Sequence, residues 1–256
     1  GVVGSDLVKF FSKYRKVYAL YRKKNRVIDN LKNKNIIWVK QDIGKEISLN
    51  IKPKIIIHCA VTHSLSDKRN YSNYMDSNII GLKNVIQFAK KKGVKRFIHL
   101  SSINVYGDIK TKILDENNPF LNPDLLGTCK IFMEKIISIQ NLHYLNIRLP
   151  GIVGYQINDT RRPWLNRIIN LLKNNKKIEI FNSEKNFNNI IDSYEIFKFL
   201  KNIINQNFKS NTFNLSASKP IKIKKMILNI KKKLNSSSKL IFKKKKAKYF
   251  LISNKL

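Results

Sequence analysis

The chain has 256 residues, 43% of them hydrophobic, which suits one large α/β domain or one domain with a smaller lobe and supplies enough apolar mass for a packed core. No run approaches the ~18 apolar residues of a membrane-crossing helix, no signal-peptide pattern opens the chain, and two cysteines, Cys59 and Cys129, are too few for a disulfide framework. A reducing cytoplasm is the expected setting. Lys and Arg number 51 against 16 Asp and Glu, a formal net charge of +35, which points either to an anionic partner such as nucleic acid or a membrane surface or to compositional drift. Drift is the reading taken here: Lys, Asn and Ile are abundant together, the lysines are scattered, and no nucleic-acid-binding motif is present. Most of this charge belongs on solvated faces, with Lys243 to Lys246 as the densest run, in an exposed segment.

Gly1-Val-Val-Gly4 followed by an apolar-periodic stretch to Phe11 reads as a turn opening a helix. Two glycines three apart permit close approach of backbone to a ligand and tight packing of helix on strand. Two readings stand: a strand that would precede this turn is missing from the chain, or the glycines form an ordinary turn. Lys16 to Tyr21 alternates Val17, Ala19 and Tyr21 and predicts a strand ending at Arg22. A basic residue at such an end suits a ribose 2′-phosphate, an acidic one a free 2′-hydroxyl, so Arg22 points to NADP. Ile36 to Val39 predicts the next strand, followed by Asp42-Ile43. Lys54 to His58 predicts another, nearly all β-branched, ending in Cys59-Ala60, small residues that leave room for a flat ligand. As a bare residue Cys59 reads as a small buried hydrophobe rather than a nucleophile.

Ile79, Leu82, Val85, Ile86 and Ala89 place an amphipathic helix over Asn78 to Lys92, ended by Gly93. Phe97 to Leu100 is a short apolar run that reads as a buried strand leading straight into Ser101 and Ser102. In an open parallel sheet ligands sit outside the carboxyl ends of the strands. The two hydroxyls are therefore placed either to touch a substrate or to cap a turn. A helix follows over Asp124 to Ile139 and a strand over Tyr144 to Leu149, ending at Pro150-Gly151. Strands alternating with helices to about residue 150 predict a Rossmann-like, doubly wound parallel sheet with right-handed crossovers. Beyond Gly154 the pattern loosens. Helices are expected over Pro163 to Leu172, Ser193 to Ile204 and Ile223 to Leu234, and strands over Lys177 to Phe181 and Thr212 to Leu215. The expected division is a dinucleotide-binding domain over 1–154 and a smaller α/β substrate lobe over 155–256, interleaved with the first.

Asp115-Glu116 reads as the start of a solvated turn. His58, His63, His99 and His143 show no metal-ligand spacing, His58 and His99 falling inside strands, and no Cys/His cluster suggests zinc. Trp38 and Trp164 read as packing residues.

The order of motifs resembles the extended branch of the short-chain dehydrogenases/reductases, the NAD-dependent epimerase/dehydratase family acting on nucleotide sugars. Gly1 and Gly4 match the second and third glycines of its Gly-x-x-Gly-x-x-Gly turn, and His58-Cys-Ala60 its strand-end His-Leu-Ala. Asn78-Ile-Ile-Gly81 matches its Asn-x-x-Gly, Leu100 to Gly107 its Ser-Ser-x-x-Val-Tyr-Gly segment, Arg148 to Gly154 its Arg-Leu-x-x-Val-x-Gly, and Ile190-Ile-Asp192 its Val-Asp-Asp.

The resemblance implies NADP or NAD as cofactor, bound by Gly1, Gly4, Arg22, Asp42, Ile43, Cys59, Ala60 and Lys130, and a nucleotide-sugar substrate met by Ser102, Gly151 and Lys185. It also implies a homodimer, or a heterodimer with a relative, formed through two helices per subunit. The family's Ser-Tyr-Lys site maps onto Ser102 and Lys130, but Leu126 stands at the Tyr position. The stand-ins considered are Tyr106 and Thr128; the alternative is a non-catalytic protein that binds cofactor and partners an active relative.

Overall fold

The computed structural model describes residues 1–62, 71–155, 164–245 and 249–253. The expected contributions of His63, Pro163 and Lys246 lie outside them.

The first half follows the pattern of apolar periods. Helix α1 (Val2–Phe11) leads to β1 (Val17–Tyr21), the five-residue α2 (Arg26–Asn30) capped by the Asn25 side chain, β2 (Ile36–Lys40) and β3 (Ile55–His58). A helical run then passes from α3 (Tyr71–Tyr74) through a π-helical segment, Met75–Ile80, into α4 (Gly81–Lys91). Leu82, Val85, Ile86 and Ala89 form the buried stripe of α4. Gly93 ends it at φ +65°, a conformation that costs glycine nothing and other residues a clash. Next come β4 (Arg96–Ser102), a 3₁₀ turn at Ile103–Tyr106, the two-residue β5 (Ile113–Leu114), α5 (Leu125–Ser138) and β6 (His143–Leu149).

Strands β3, β4 and β6 lie side by side, all parallel, with β11 (Asn211–Asn214) added at the far edge in the order β11-β6-β4-β3. Parallel neighbours joined through helices are what alternating strand and helix periods dictate. Strands β1 and β2 pair in parallel with each other, and no backbone hydrogen bond joins β1 to β3 among the described residues.

Side chains alternate across a strand, and the two faces of the four-stranded sheet differ. One face carries Ile98, Leu100, Leu145, Ile147, Leu149, Phe213 and Leu215, packed against Leu7, Phe10 and Phe11 of α1 and against α7 (Ser193–Ile204). The other begins apolar, with Phe97, Tyr144 and Ile56 against α4 and α5. Toward the carboxyl ends it turns polar, and that change positions the site.

The remaining strands are β7 (Gly151–Val153), β8 (Ile178–Phe181), β9 (Asn186–Phe187), β10 (Ile190–Asp192), β12 (Ile221–Lys222), β13 (Leu240–Lys243) and β14 (Leu251–Ile252). With α6 (Trp164–Lys173) and α8 (Ile223–Lys233) they build a second core around Leu165, Leu172, Ile178, Ile180 and Ile227. The chain beyond residue 154 thus serves both parts: β11 and α7 return to the main sheet, and β10 pairs with β7. The parallel β13–β8 pairing holds Lys243 against Glu179, 2.5 Å apart.

Candidate functional site

The carboxyl ends of the parallel strands gather the expected residues along one edge. Arg22 follows β1 directly and is exposed. After β2, Asp42 closes a local turn by accepting the Gly44 N–H at 3.0 Å, and Ile43 packs against the start of α4 at Gly81. Cys59 and Ala60 follow β3, with Cys59 set against Gly4 of α1. Burial pushes the Cys59 thiol up to about 11, the opposite of what activates a nucleophile. Gly1 is the N-cap of α1, so that helix starts at this edge. Asn78, fully buried in the π-helical segment, clamps the segment after β3: its side chain accepts the Thr62 N–H at 2.8 Å and donates to the Thr62 carbonyl at 3.3 Å. Gly151 opens β7, where it pairs with Ile190. Lys185 sits apart, in the turn between β8 and β9, exposed and with its ammonium over the Tyr249 ring.

Ser102 and the first turn of α5 are held together by close backbone contact. The Ser102 hydroxyl accepts the Asn104 N–H at 3.2 Å, capping the 3₁₀ turn. Asp124 caps α5 by accepting the Gly127 N–H at 2.7 Å. A side chain at Gly127 would meet the Asn104 carbonyl oxygen at 2.2 Å, so only glycine lets the helix approach this turn. Leu126 is thereby buried in the first turn of α5, and Thr128 is exposed on it.

Lys130, one turn further along α5, is buried with its ammonium on the polar half of the sheet face. It donates to the Leu100 carbonyl at 2.8 Å and lies 3.0 Å from His99 Nε2. Strand register places a polar row beside it: His58 opposite His99, His99 opposite Asn146, and Asn146 opposite Thr212. Burial, seconded by the Lys130 charge, drives His58 down to about 3 and His99 well below the usual imidazole range, so both rings are neutral. Burial also brings Lys130 down to about 8, against the opposing pull of Cys59, Glu134 and Cys129.

A second row lies two residues on. Ser101, Arg148 and Asn214 are cross-strand neighbours, and Glu134 reaches them from α5. Ser101 donates to Glu134 Oε1 at 2.5 Å, and Arg148 grips the same carboxylate through Nε and Nη2. Arg148 Nη1 donates to the Tyr106 hydroxyl at 2.8 Å, which in turn donates to Asn214 Oδ1 at 2.9 Å. The phenol considered as a stand-in base is thus wholly buried, raised in pKa by that burial, and committed to two structural partners. Glu116 departs from the solvated-turn reading: its Oε1 accepts the Asn214 N–H at 2.7 Å. Among the described residues no group of three or more His, Cys, Asp or Glu side chains could hold a metal ion, and no helix is long and apolar enough to cross a membrane.

A profile of the NAD dependent epimerase/dehydratase family matches residues 1–216. The chain belongs to this family. An uncharacterized protein of Methanocaldococcus jannaschii is 26% identical over 239 residues, covering 88% of this chain and 71% of that protein. A dTDP-D-glucose 4,6-dehydratase of Dictyostelium discoideum is 26% identical over 222 residues, covering 78% of this chain and only 51% of the relative. The UDP-Glc/GlcNAc 4-epimerase of Campylobacter jejuni shares the fold with a TM-score of 0.77 at 19% identity, over 100% of this chain and 88% of that one.

Leu126 stands one helical turn before Lys130 on α5, and a leucine side chain cannot exchange a proton. Sequence reasoning also missed His99, Asn146, Glu134 and Asn214. Glu134 carried a usable signal, lying four residues after Lys130 on one helix face. The two histidines were readable as strand residues, but their convergence on Lys130 depends on a register that no local pattern encodes.

Proposed function

We propose that the chain binds a nicotinamide dinucleotide and a nucleotide-linked sugar along the carboxyl edge of the sheet, as an NAD(P)-dependent epimerase, dehydratase or reductase. The observation that carries this reading is the placement of Lys130, a buried ammonium with no carboxylate partner among the described residues, beside the strand end that carries Ser102. A buried cation without an ion pair is costly, and an anionic or polyhydroxylated ligand would offset that cost. The residues present fit the dinucleotide. The first-turn N–H groups of α1, Val2 to Gly4, have no partner within the helix and face an anion well. Cys59 and Ala60 leave the β3 end free of bulk; Arg22 would meet a ribose 2′-phosphate and Asp42 the adenine. Arg22 favours NADP over NAD.

When bound, the nicotinamide would accept or return a hydride from a sugar carbon. The chain's part is to place Lys130 against the ribose, Ser102 against the sugar hydroxyl and Gly151 along the nucleotide diphosphate, which Lys185 would have to reach by leaving the Tyr249 ring. Lys185 would act there as a point charge rather than a bidentate fork.

Leu126 supports a second reading, a cofactor-binding protein without turnover that pairs with an active relative. In either case a second copy or a related chain is the expected partner of α5, where Leu125 and Phe132 on the helix and Ile139 at its C-cap are exposed at intervals of seven residues. That spacing makes one apolar stripe along a helix.

Fluorescence titration with NADH and NADPH tests the shared core: saturable binding, tighter for NADPH, is expected, and its absence removes both readings. A panel of nucleotide sugars then separates them. If the wild type is inert, Leu126→Tyr should restore turnover in a site otherwise intact, and no gain would assign the chain to the non-catalytic role.

A further inference from the structure

The Lys130 ammonium has four tetrahedral directions. One is its own carbon stem, one is fixed on the Leu100 carbonyl, and one on His99 Nε2. Because an ammonium only donates, His99 must accept through Nε2 and carry its single proton on Nδ1. The fourth direction, pointing away from both acceptors, belongs to the one N–H with no acceptor among the described residues. We propose that His99 is a positioning residue that selects which proton of Lys130 is exchanged, so that the Lys130–His99 pair handles protons at this crevice where Leu126 cannot.

This proposal rests on the reading of the crevice as a dinucleotide site. The arrangement needs a neutral His99, since an imidazolium could not accept from Lys130 and would set two positive charges 3.0 Å apart. The surroundings enforce that neutrality. His58 on β3 faces His99 edge-to-face at 5.8 Å between ring centroids and is itself neutral. The charged and titratable groups that act on Lys130 are Cys59 after β3, Glu134 and Cys129 on α5, and the two imidazoles. Glu134 is already taken up by Arg148 and Ser101. Among the described residues His99 Nδ1, His58 Nε2 and Asn146 Oδ1 are buried without a protein partner, all three on cross-strand neighbours. A water bridging this row would fix the His99 tautomer, with Nδ1–H as donor and Asn146 Oδ1 as acceptor. Loss of the free proton then leaves the Lys130 lone pair in the unheld direction, with the other two N–H bonds unchanged.

The test is NMR on the full chain with ¹⁵N-histidine and ¹³Cε-lysine labels, the Lys130 signal being assigned by its loss in Lys130→Met. His99 is expected as the Nδ1–H tautomer, and Lys130 is expected to titrate near pH 8. His99→Phe removes the acceptor and should move that midpoint lower, while His99→Gln keeps an acceptor oxygen and should restore it. The Nε2–H tautomer, or a Lys130 midpoint that ignores His99→Phe, overturns the proposal. Should His99→Phe fail to fold, the wild-type tautomer decides alone. NADPH affinity should weaken as pH rises through the Lys130 midpoint, and at lower pH in His99→Phe. Binding that ignores this titration defeats the proposal and leaves the dinucleotide reading standing, whereas no binding at any pH defeats that reading.

Discussion

Arg148 and Glu134 face each other under α5 with Nη2 2.8 Å from Oε2 and Nε 3.1 Å from Oε1, both side chains only 8% exposed. The guanidinium also lies beside the Tyr106 and Phe120 rings, 5.1 and 5.0 Å from their centroids, the two rings meeting each other edge-on at 5.7 Å. Removing one partner of such a pair strands a charge in the interior. Glu134→Leu should therefore cost about 3–5 kcal/mol, read from urea unfolding at neutral pH. The double change Glu134→Leu with Arg148→Met should recover much of that loss, because replacing both charges by apolar groups is often neutral.

Lys130 makes stability depend on pH in a defined direction. Its pKa falls from the ordinary 10.5 to about 8 on folding. Below about pH 8 both states hold the proton and the burial penalty is fully present. Between about pH 8 and 10.5 the unfolded chain keeps a proton that the folded one has released, so stability rises with pH, by roughly 3 kcal/mol in all. Lys130→Met should abolish that rise, as denaturant midpoints measured across the interval will show. A rise unchanged in the variant would place its source elsewhere.

Tyr106→Phe separates structure from chemistry. The phenol joins Arg148 to Asn214, and its loss leaves a charged donor and a buried amide oxygen short of partners. A destabilisation of about 1–3 kcal/mol is expected, with dinucleotide affinity unchanged. Turnover lost at full stability would instead make this hydroxyl the proton carrier.

The exposed stripe on α5 predicts assembly. On the proposed pairing the wild type should sediment as a dimer, and Phe132→Lys, which puts a charge at the middle of the stripe, as a monomer with its thermal midpoint little changed. An unchanged sedimentation coefficient would remove α5 as the interface.

How far the sequence foretells this molecule depends on the length of each element. Helices α5 and α7 and strands β3, β4 and β6 fall within one or two residues of their expected spans, and α4 starts three residues later than expected because its first turn is part of the π-helical segment. The two- to five-residue elements α2, β5, β7, β9, β10, β12 and β14 do not repeat a period at all, and they form through tertiary pairing. The same division holds in the site. The family resemblance pointed to Ser102, Lys130 and Leu126, and Asp124 and Gly127 fix the start of the helix that carries the last two. The partners of Lys130 were not, because His99 and Asn146 meet only through strand register. Tyr106 was misleading for a related reason: its neighbourhood in sequence is Ser102, but its hydroxyl is turned to Asn214, 108 residues away.

The formal charge of +35 carries a consequence in solution. Like-charged molecules repel one another over a screening length that contracts from about 10 Å at 0.1 M salt to about 3 Å at 1 M. Light scattered by a concentrated sample should therefore grow as salt is added, and the scattered lysines are the source of the repulsion that salt removes.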